Sequence, residues 1–160
     1  MLATIAYSMA LAAMSTTPAG PCDLLDRAAA TTLLGAPVTK MDPSGPEPDE
    51  DTGGTRTTCV YQAAQRMLIV IRLDYPNAGA AREATAAEME PEKLAEEKAT
   101  MKDAPGLGDK GYLVYTPRAI QYLVVKGSSV LSLILGGVPN PLPTYEAPLR
   151  SATVSAAKKL

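Results

Sequence analysis

Residues 55–75, TRTTCVYQAAQRMLIVIRLDY, predict a β-hairpin around which the rest of the fold can assemble. Two runs within this stretch, 55–62 and 67–75, are rich in Thr, Val, Ile and Tyr, whose branched or aromatic side chains pack well on a pleated surface. The four residues between the runs have the length of a hairpin loop. Cys59 lies in the first run, so a covalent partner of this residue would be tied to the sheet.

Further strands are predicted on both sides of the hairpin, at 38–41, 112–115, 120–126 and 130–135. The segment KGSS at 126–129 forms a compact turn between the last two strands. Because short connections join antiparallel neighbours, we expect an antiparallel sheet of about five to six strands.

Three helical segments accompany the strands. The segment 23–34 has apolar residues at three- and four-residue spacing, and Gly35 follows it as a typical helix end. The segment 77–101 is rich in Ala, Glu and Lys, and Pro91 must kink or split it. A third helix is predicted at 147–160. The predicted fold class is therefore α+β, with the helices packed on one face of the sheet and one disulfide.

The composition changes at residues 42–54 to Pro, Gly, Ser and acidic residues. This composition predicts a mobile acidic loop that is rich in Pro and Gly, because the segment has little apolar surface to bury. Glu47, Asp49, Glu50 and Asp51 suggest a calcium site as an alternative. Their spacing does not match a calcium-binding loop, and a charged linker is the commoner interpretation.

The first 19 residues have the pattern of a cleavable signal peptide, with an apolar run at 2–14 followed by small and turn-forming residues. A membrane anchor or a buried helix is the alternative, but the run is shorter than the roughly 20 residues that a bilayer core requires. We therefore expect a signal peptide at 1–19, a single domain over 20–160, a periplasmic or secreted location, and no stable membrane span.

The two cysteines of the chain, Cys22 and Cys59, are expected to form a disulfide, because an exported chain folds in an oxidising compartment. The alternative is two unrelated buried thiols in a cytosolic protein. The position of Cys22 close to the start of the mature chain argues against that alternative.

The composition excludes several kinds of chemistry. The 160 residues contain no His, which rules out Ser-His and Cys-His catalytic pairs and His-ligated zinc. The formal net charge is −2 and no basic stripe is present, so nucleic acid is not an expected partner. No cofactor and no metal are predicted.

Two motifs match catalytic or nucleotide-binding patterns only formally. GLGDKG at 106–111 matches the dinucleotide fingerprint, but here a helix enters the motif and a strand leaves it, which is the reverse of the order that the fingerprint requires. We interpret Gly106, Gly108 and Asp109 as a structural loop, in which the glycines supply positive φ angles and Asp109 bonds backbone amides. SAAK at 155–158 matches the S-x-x-K of acyl enzymes without the companion motifs, and is predicted to lie on the surface.

Tyrosines on adjacent predicted strands suggest a ligand groove formed by Tyr112, Tyr115 and Tyr122, with Arg118 at its rim. The alternative is that these tyrosines fill the edge of the core in a chain that has neither Phe nor Trp.

Five short motifs follow one another along the chain: CDLL at 22–25, LLGAPV at 33–38, CVY at 59–61, APGLGDK at 104–110 and LVVKG at 123–127. Together they resemble a group of small exported bacterial domains of unknown function, which includes periplasmic proteins and secreted actinobacterial lipoproteins. The resemblance implies a disulfide between the matching cysteines and implies no enzymatic activity. Pro21 directly before Cys22 does not suit acylation, so a lipid anchor is not expected.

The leading functional hypothesis is an exported, non-enzymatic binding or interaction module of the bacterial envelope or periplasm. Its partner would be an unknown envelope protein or a small ligand. The alternatives are a hydrolase or transferase that uses carboxylates or Ser without His, and a purely structural envelope protein without a concave pocket. A rigid cleft that holds paired carboxylates, or Ser beside Lys, would favour the enzyme.

Overall fold

The computed structural model describes residues 20–140 and 142–160, and the predicted signal peptide at 1–19 lies outside them. The described residues form a seven-stranded antiparallel sheet with helices, in the strand order β1-β2-β3-β7-β6-β5-β4. The elements in chain order are α1 (Pro21–Leu24), α2 (Arg27–Leu34), β1 (Lys40–Asp49), β2 (Gly54–Ala63), β3 (Arg66–Asp74), α3 (Ala78–Glu88), α4 (Pro91–Glu96), β4 (Thr100–Asp103), β5 (Lys110–Tyr115), β6 (Ala119–Lys126), β7 (Ser129–Gly136), a 3-10 helix (Leu142–Tyr145) and α5 (Glu146–Ala157).

The central part of the sheet matches the sequence-based expectation. The predicted hairpin is β2 and β3, which pair antiparallel through their whole length. The predicted meander is β5, β6 and β7, and its last strand pairs with β3 to join the two halves of the sheet. The long Ala- and Glu-rich segment is split at Pro91 into α3 and α4, with the Asn77 side chain capping α3 through the amide of Ala80 at 2.9 Å.

The prediction of about five to six strands is wrong, because the sheet has seven. The additional strand is β4, which pairs with β5 at one edge of the sheet. Its four residues are all exposed, so the strand shows none of the apolar alternation that marks a half-buried strand in a sequence. It also directly follows a helix-forming run, which hides its start.

The prediction of a mobile loop at 42–54 is wrong over residues 42–49, which belong to β1. This strand forms the other edge of the sheet and pairs with β2. Nine of its ten residues are not buried, so its composition resembles that of a solvated loop. Edge strands tolerate Pro because one side of the backbone makes no ladder hydrogen bonds. Only the turn at 50–53 remains a loop.

The prediction that the helices pack on one face of the sheet is also wrong. We call the two faces the disulfide face, which carries Cys59, Tyr61 and Leu133, and the pocket face, which carries Leu123 and Val130. Helices α1, α2 and α5 cover the disulfide face and form the larger core with it. Helix α3 covers part of the pocket face with a smaller core. Strands β6 and β7 have consecutive apolar residues, so both of their faces require cover.

The predicted disulfide is confirmed and joins Cys22 of α1 to Cys59 of β2, with a Cα to Cα distance of 5.2 Å. The predicted helix 23–34 is broken beside it, between α1 and α2. The buried Tyr61 hydroxyl donates a hydrogen bond to the carbonyl of Leu25 at this break and lies 3.2 Å from the carbonyl of Cys22. The Asp26 side chain then caps α2 by accepting from the amide of Ala29 at 2.8 Å.

The buried Tyr61 phenol predicts a loss of stability at alkaline pH. Burial, together with the negative charges of Asp26 and Asp23, raises the pKa of Tyr61 to about 12. In an unfolded chain the pKa of tyrosine is about 10. The stabilisation from the neutral phenol is therefore complete below about pH 10 and is lost as the pH rises towards 12.

We expect Tyr61→Phe to lose less of its free energy of unfolding between pH 9 and pH 12 than the wild type loses, as measured by urea denaturation at each pH. At neutral pH the variant should be less stable by about 1 kcal/mol, because the two carbonyls lose a hydrogen-bond donor. Parallel alkaline decline in the two proteins would contradict this role of Tyr61.

Candidate functional site

The pocket face contains a cavity of about 250 Å³ between the sheet and the two helices α3 and α4. Its floor is formed by apolar side chains from the four neighbouring strands β3, β7, β6 and β5: Ile71, Leu73, Val130, Leu123 and Val114. The β1–β2 hairpin closes one side. The cavity is a concave apolar site, which is the usual setting for a small-molecule site in a protein.

The cavity exists because the side chains of α3 that face the sheet are too small to fill the space between the helix and the sheet. This helix packs on the sheet through Ala81, with Ala80 and Ala84 beside it. Alanine side chains extend only one carbon beyond the backbone, so they leave part of the floor uncovered. Helix α4 has no buried residue and contributes Lys93 and Leu94 to the cavity wall instead.

A hydrogen-bonded polar pair lies within the apolar floor. The Gln121 side-chain amide donates to the Ser132 hydroxyl at 2.8 Å, and Ser132 is 6 % exposed. This bond uses one donor of Gln121 and one acceptor of Ser132. The Gln121 carbonyl and the Ser132 hydroxyl proton retain capacity for further bonds. A ligand that lies on the floor therefore meets a donor and an acceptor in its middle.

Asp49 provides a nearly buried carboxylate in the cavity wall. It is the last residue of β1, and its side chain is 4 % exposed. One oxygen, Oδ1, accepts from the backbone amide of Thr52 at 3.2 Å. The other, Oδ2, is itself buried and forms an ion pair with Nη2 of Arg56 at 2.8 Å, but it accepts no hydrogen bond from the residues that the structure describes.

The rim of the cavity is acidic. Four carboxylates and two cations line it: Asp49, Asp51, Glu88, Glu97, Arg56 and Lys93. The two cations pair with Asp49 and Glu88, at 2.8 Å and 2.9 Å respectively. Among residues 20–140 and 142–160, Asp51 and Glu97 form no ion pair. The lining residues therefore carry a formal charge of −2, from four negative and two positive groups.

Tyr75 lines the cavity from the connection between β3 and α3. Its ring packs against Gly54, where an added Cβ would lie 3.0 Å from the ring edge. Burial raises the pKa of Tyr75, so the phenol stays neutral at physiological pH. This close packing places Asp49, which pairs with Gly54 across the hairpin, directly beside the floor.

The predicted tyrosine groove is divided between the two faces of the sheet. Tyr112 lies on the pocket face, where it packs at the edge of the smaller core. Tyr115 and Tyr122 lie on the disulfide face. Tyr115 is three residues after Tyr112 on β5, and Tyr122 pairs with Leu113, the residue next to Tyr112. Tyr122 is buried, and the Tyr115 hydroxyl donates to Glu146 of α5. Arg118 is exposed in the β5–β6 turn.

The predicted structural loop clamps the β6–β7 hairpin. Gly106 and Gly108 have positive φ angles of 78° and 58°. The Asp109 amide donates to the carbonyl of Val125 at 2.8 Å, and the Asp109 carboxylate accepts from the amide of Gly127 at 2.7 Å. The Asp109 carboxylate thus accepts a hydrogen bond from a neighbouring hairpin, from a residue 18 positions away in the sequence.

The S-x-x-K motif lies on the outer surface of α5, where both Ser155 and Lys158 are exposed. Two of the four residues of the alternative calcium site, Asp49 and Asp51, line the cavity. In the described part of the chain, no group of three or more Cys, Asp or Glu side chains is arranged to bind a metal ion.

Sequence reasoning missed the residues that define this cavity. Asp49 is predicted in the acidic loop and, as an alternative, in a calcium site, but not at an apolar cavity, and Ala84 and Ser132 carry no motif. The one signal in the sequence is the alternation of Gln121 and Ser132 with apolar neighbours inside two strongly apolar strands. Polar residues inside such strands are uncommon, which marks the face on which they lie.

The fold is similar to that of a solved extracellular domain. The extracellular domain of PknH from Mycobacterium tuberculosis superposes with a TM-score of 0.56 at 12 % sequence identity, and the match covers 90 % of this chain and 99 % of that one. No protein-family model matches the chain, so the resemblance of its five motifs to a group of exported domains stays a prediction. No curated protein matches it.

Proposed function

We propose that this protein is an exported binding module that holds a small ligand in the cavity of the pocket face. The observation that supports this proposal is the combination of an apolar floor, a hydrogen-bonding pair within it and a nearly buried carboxylate at its wall. A few polar groups converging on an apolar concave surface are what a ligand site requires for both affinity and orientation.

Export is supported by three independent features. The chain has a predicted signal peptide at 1–19, and Cys22 and Cys59 form a disulfide, which persists in oxidising compartments. The fold is similar to that of an extracellular domain. Within residues 20–140 and 142–160, no helix is long and apolar enough to cross a bilayer. We propose a periplasmic or secreted location on these grounds.

Filling the cavity tests the proposal. Ala84 of α3 lines the cavity, so a larger side chain at this position would occupy the space above the floor. We expect Ala84→Trp to reduce binding of Nile red, a neutral apolar dye, by at least about tenfold relative to the wild type. Loss of about 60 Å² of apolar contact between dye and floor is worth about 1.5 kcal/mol, which corresponds to about tenfold in the dissociation constant. Fluorescence titration gives the dissociation constants.

The matched control is Ala86→Trp, which places the same side chain on the exposed side of the same helix. This variant should bind the dye as the wild type does. Equal binding by all three proteins would show that the dye does not enter the cavity, and failure of the wild type to bind it would count against a ligand site on this face.

A further inference from the structure

The charge distribution around the cavity indicates which class of small ligand it accepts. The floor is apolar, whereas the wall at Asp49 and the rim are negative, with a formal charge of −2 over the lining residues. A ligand that matches both properties has an apolar body and a positively charged end. This inference rests on the proposed function, since it concerns the ligand of the same cavity.

The Asp49 carboxylate is the group that would meet the positive end. A carboxylate with a 4 % exposed side chain has lost most of its contact with water, and burying a charge is costly unless hydrogen bonds and a countercharge compensate. Its Oδ1 is bonded to the Thr52 amide, but Oδ2 accepts no hydrogen bond from the described residues. Oδ2 is itself buried and has Arg56 as its countercharge, so a ligand cation would reach this acceptor by taking the place of Arg56.

Arg56 does not block this position permanently. Its side chain is 44 % exposed, and its ion pair with Oδ2 at 2.8 Å does not have the geometry of a hydrogen bond. Because Asp49 is nearly buried, turning Arg56 into solvent alone would leave a buried charge without a countercharge, which is costly. A ligand ammonium that takes the place of Arg56 keeps a countercharge at Asp49 and donates to Oδ2, and this charge-assisted bond is stronger than a neutral one.

The remaining rim charges favour the same kind of ligand. Lys93 is paired with Glu88 at 2.9 Å. Asp51 and Glu97 lie at the rim with no cation paired to them among the residues that the structure describes. An anionic ligand would meet these carboxylates at close range and would be repelled. A neutral ligand cannot supply the countercharge that Arg56 gives to Asp49, so it would gain no charge-assisted bond at Oδ2.

We propose that the cavity binds an amphipathic organic cation, a small molecule whose apolar body lies on the floor at Leu73, Leu123 and Val130 and whose ammonium or guanidinium group donates to Asp49. The polar pair of Gln121 and Ser132 lies in the middle of the floor and is available to a hydrogen-bonding group in the body of the ligand.

Two probes with the same apolar body, one ending in a charged group and one in a neutral group, test this proposal on the oxidised full-length protein. They are 2-naphthylmethylammonium and the neutral 2-naphthylmethanol, and binding is followed by NMR titration of the amide signals. We expect the ammonium to bind about tenfold more tightly than the alcohol, because hydrogen bonds to charged groups are worth roughly 1.4 kcal/mol more than neutral ones. The Thr52 amide, which is bonded to Asp49, should show one of the largest shifts for the ammonium.

The variant Asp49→Asn should remove the preference, so that both probes bind as the alcohol binds to the wild type. Its amide group keeps an oxygen for the Thr52 amide, which favours folding. The control is Asp103→Asn, which changes the net charge equally at a β4 position with a 67 % exposed side chain outside the cavity. This variant should keep the tenfold preference.

Each outcome decides a different claim. Equal affinity of the two probes for the wild type, or tighter binding of the alcohol, would overturn the cation preference but leave the binding module intact. A preference that persists in Asp49→Asn would overturn the role of Asp49. If that variant does not fold, the wild-type ratio and the shift of the Thr52 amide decide the claim. Binding of neither probe nor Nile red would count against the proposed function itself.

Discussion

Replacing Cys22 and Cys59 by alanine is expected to lower the free energy of unfolding by about 4 kcal/mol. The two cysteines are separated by 37 positions, so the disulfide closes a long loop and greatly reduces the conformational freedom of the unfolded chain. A domain of this size has about 5 to 15 kcal/mol of stability in total. The expected loss is therefore a large fraction of the whole.

The position of the disulfide adds to this effect. It holds α1 against β2 at the corner where Tyr61 bonds the carbonyl of Leu25. The segment that it closes contains β1, an edge strand with almost no buried side chain of its own. Without the covalent link, α1 and β1 are held by contacts that each contribute little. We expect urea denaturation to show a lower midpoint, and β1 amides to lose protection from hydrogen exchange first.

Reduction of the wild type supplies the matched control, because it breaks the bond and leaves both sulfur atoms in place. Reduced wild type and the double alanine variant should agree to within about 1 kcal/mol, a margin set by the small side chains that the variant lacks. A loss of less than about 1 kcal/mol in both proteins would contradict the view that the disulfide is a main determinant of stability.

The second large effect is expected at Gly108. Its φ angle is 58°, and an added Cβ would lie 2.4 Å from the carbonyl oxygen of Val125. We expect Gly108→Ala to cost about 3 kcal/mol or more, because the left-handed conformation costs alanine about 1 kcal/mol and the clash with a strand backbone adds to it. The clash also threatens the 2.8 Å bond from the Asp109 amide to the same carbonyl.

Gly127 offers a closely matched control for this prediction. It has the same φ angle of 58°, but no atom lies within 4 Å of an added Cβ. Gly127→Ala should therefore cost only the conformational term of about 1 kcal/mol. The two variants are compared by urea denaturation of the oxidised proteins. Equal costs would mean that Val125 moves away without penalty and that the loop does not clamp the hairpin as the structure indicates.

The sequence-based expectations were accurate for segments whose side chains are buried and inaccurate for segments whose side chains are exposed. The hairpin β2–β3 and the strands β6 and β7 were predicted because their apolar residues form the core. Of the edge strands, β1 was predicted only at its start, as a strand at 38–41, and β4 was missed. Their backbones pair with a neighbour, but their side chains remain exposed, so no hydrophobic pattern reports the pairing.

The candidate site followed the same division. The four residues of the predicted tyrosine groove are spread over two faces and a turn, because strand register decides which tyrosines share a face. The cavity was not predicted at all. It depends on the distance between an alanine-rich helix and the sheet, and on the pairing of Asp49 with Gly54, which brings a carboxylate from an acidic segment to an apolar floor.

The sequence by itself determined the disulfide, the central antiparallel strands, the split of the Ala-rich helical segment at Pro91 and the absence of His chemistry. Each of these depends on local pattern or on residue identity alone. Only the tertiary structure decided the number of strands, the distribution of the helices over both faces and the site at Asp49. The pairing of edge strands and the space between an alanine-rich helix and the sheet arise from contacts between segments that are distant in the chain. Such contacts produce no hydrophobic periodicity in the sequence of either segment.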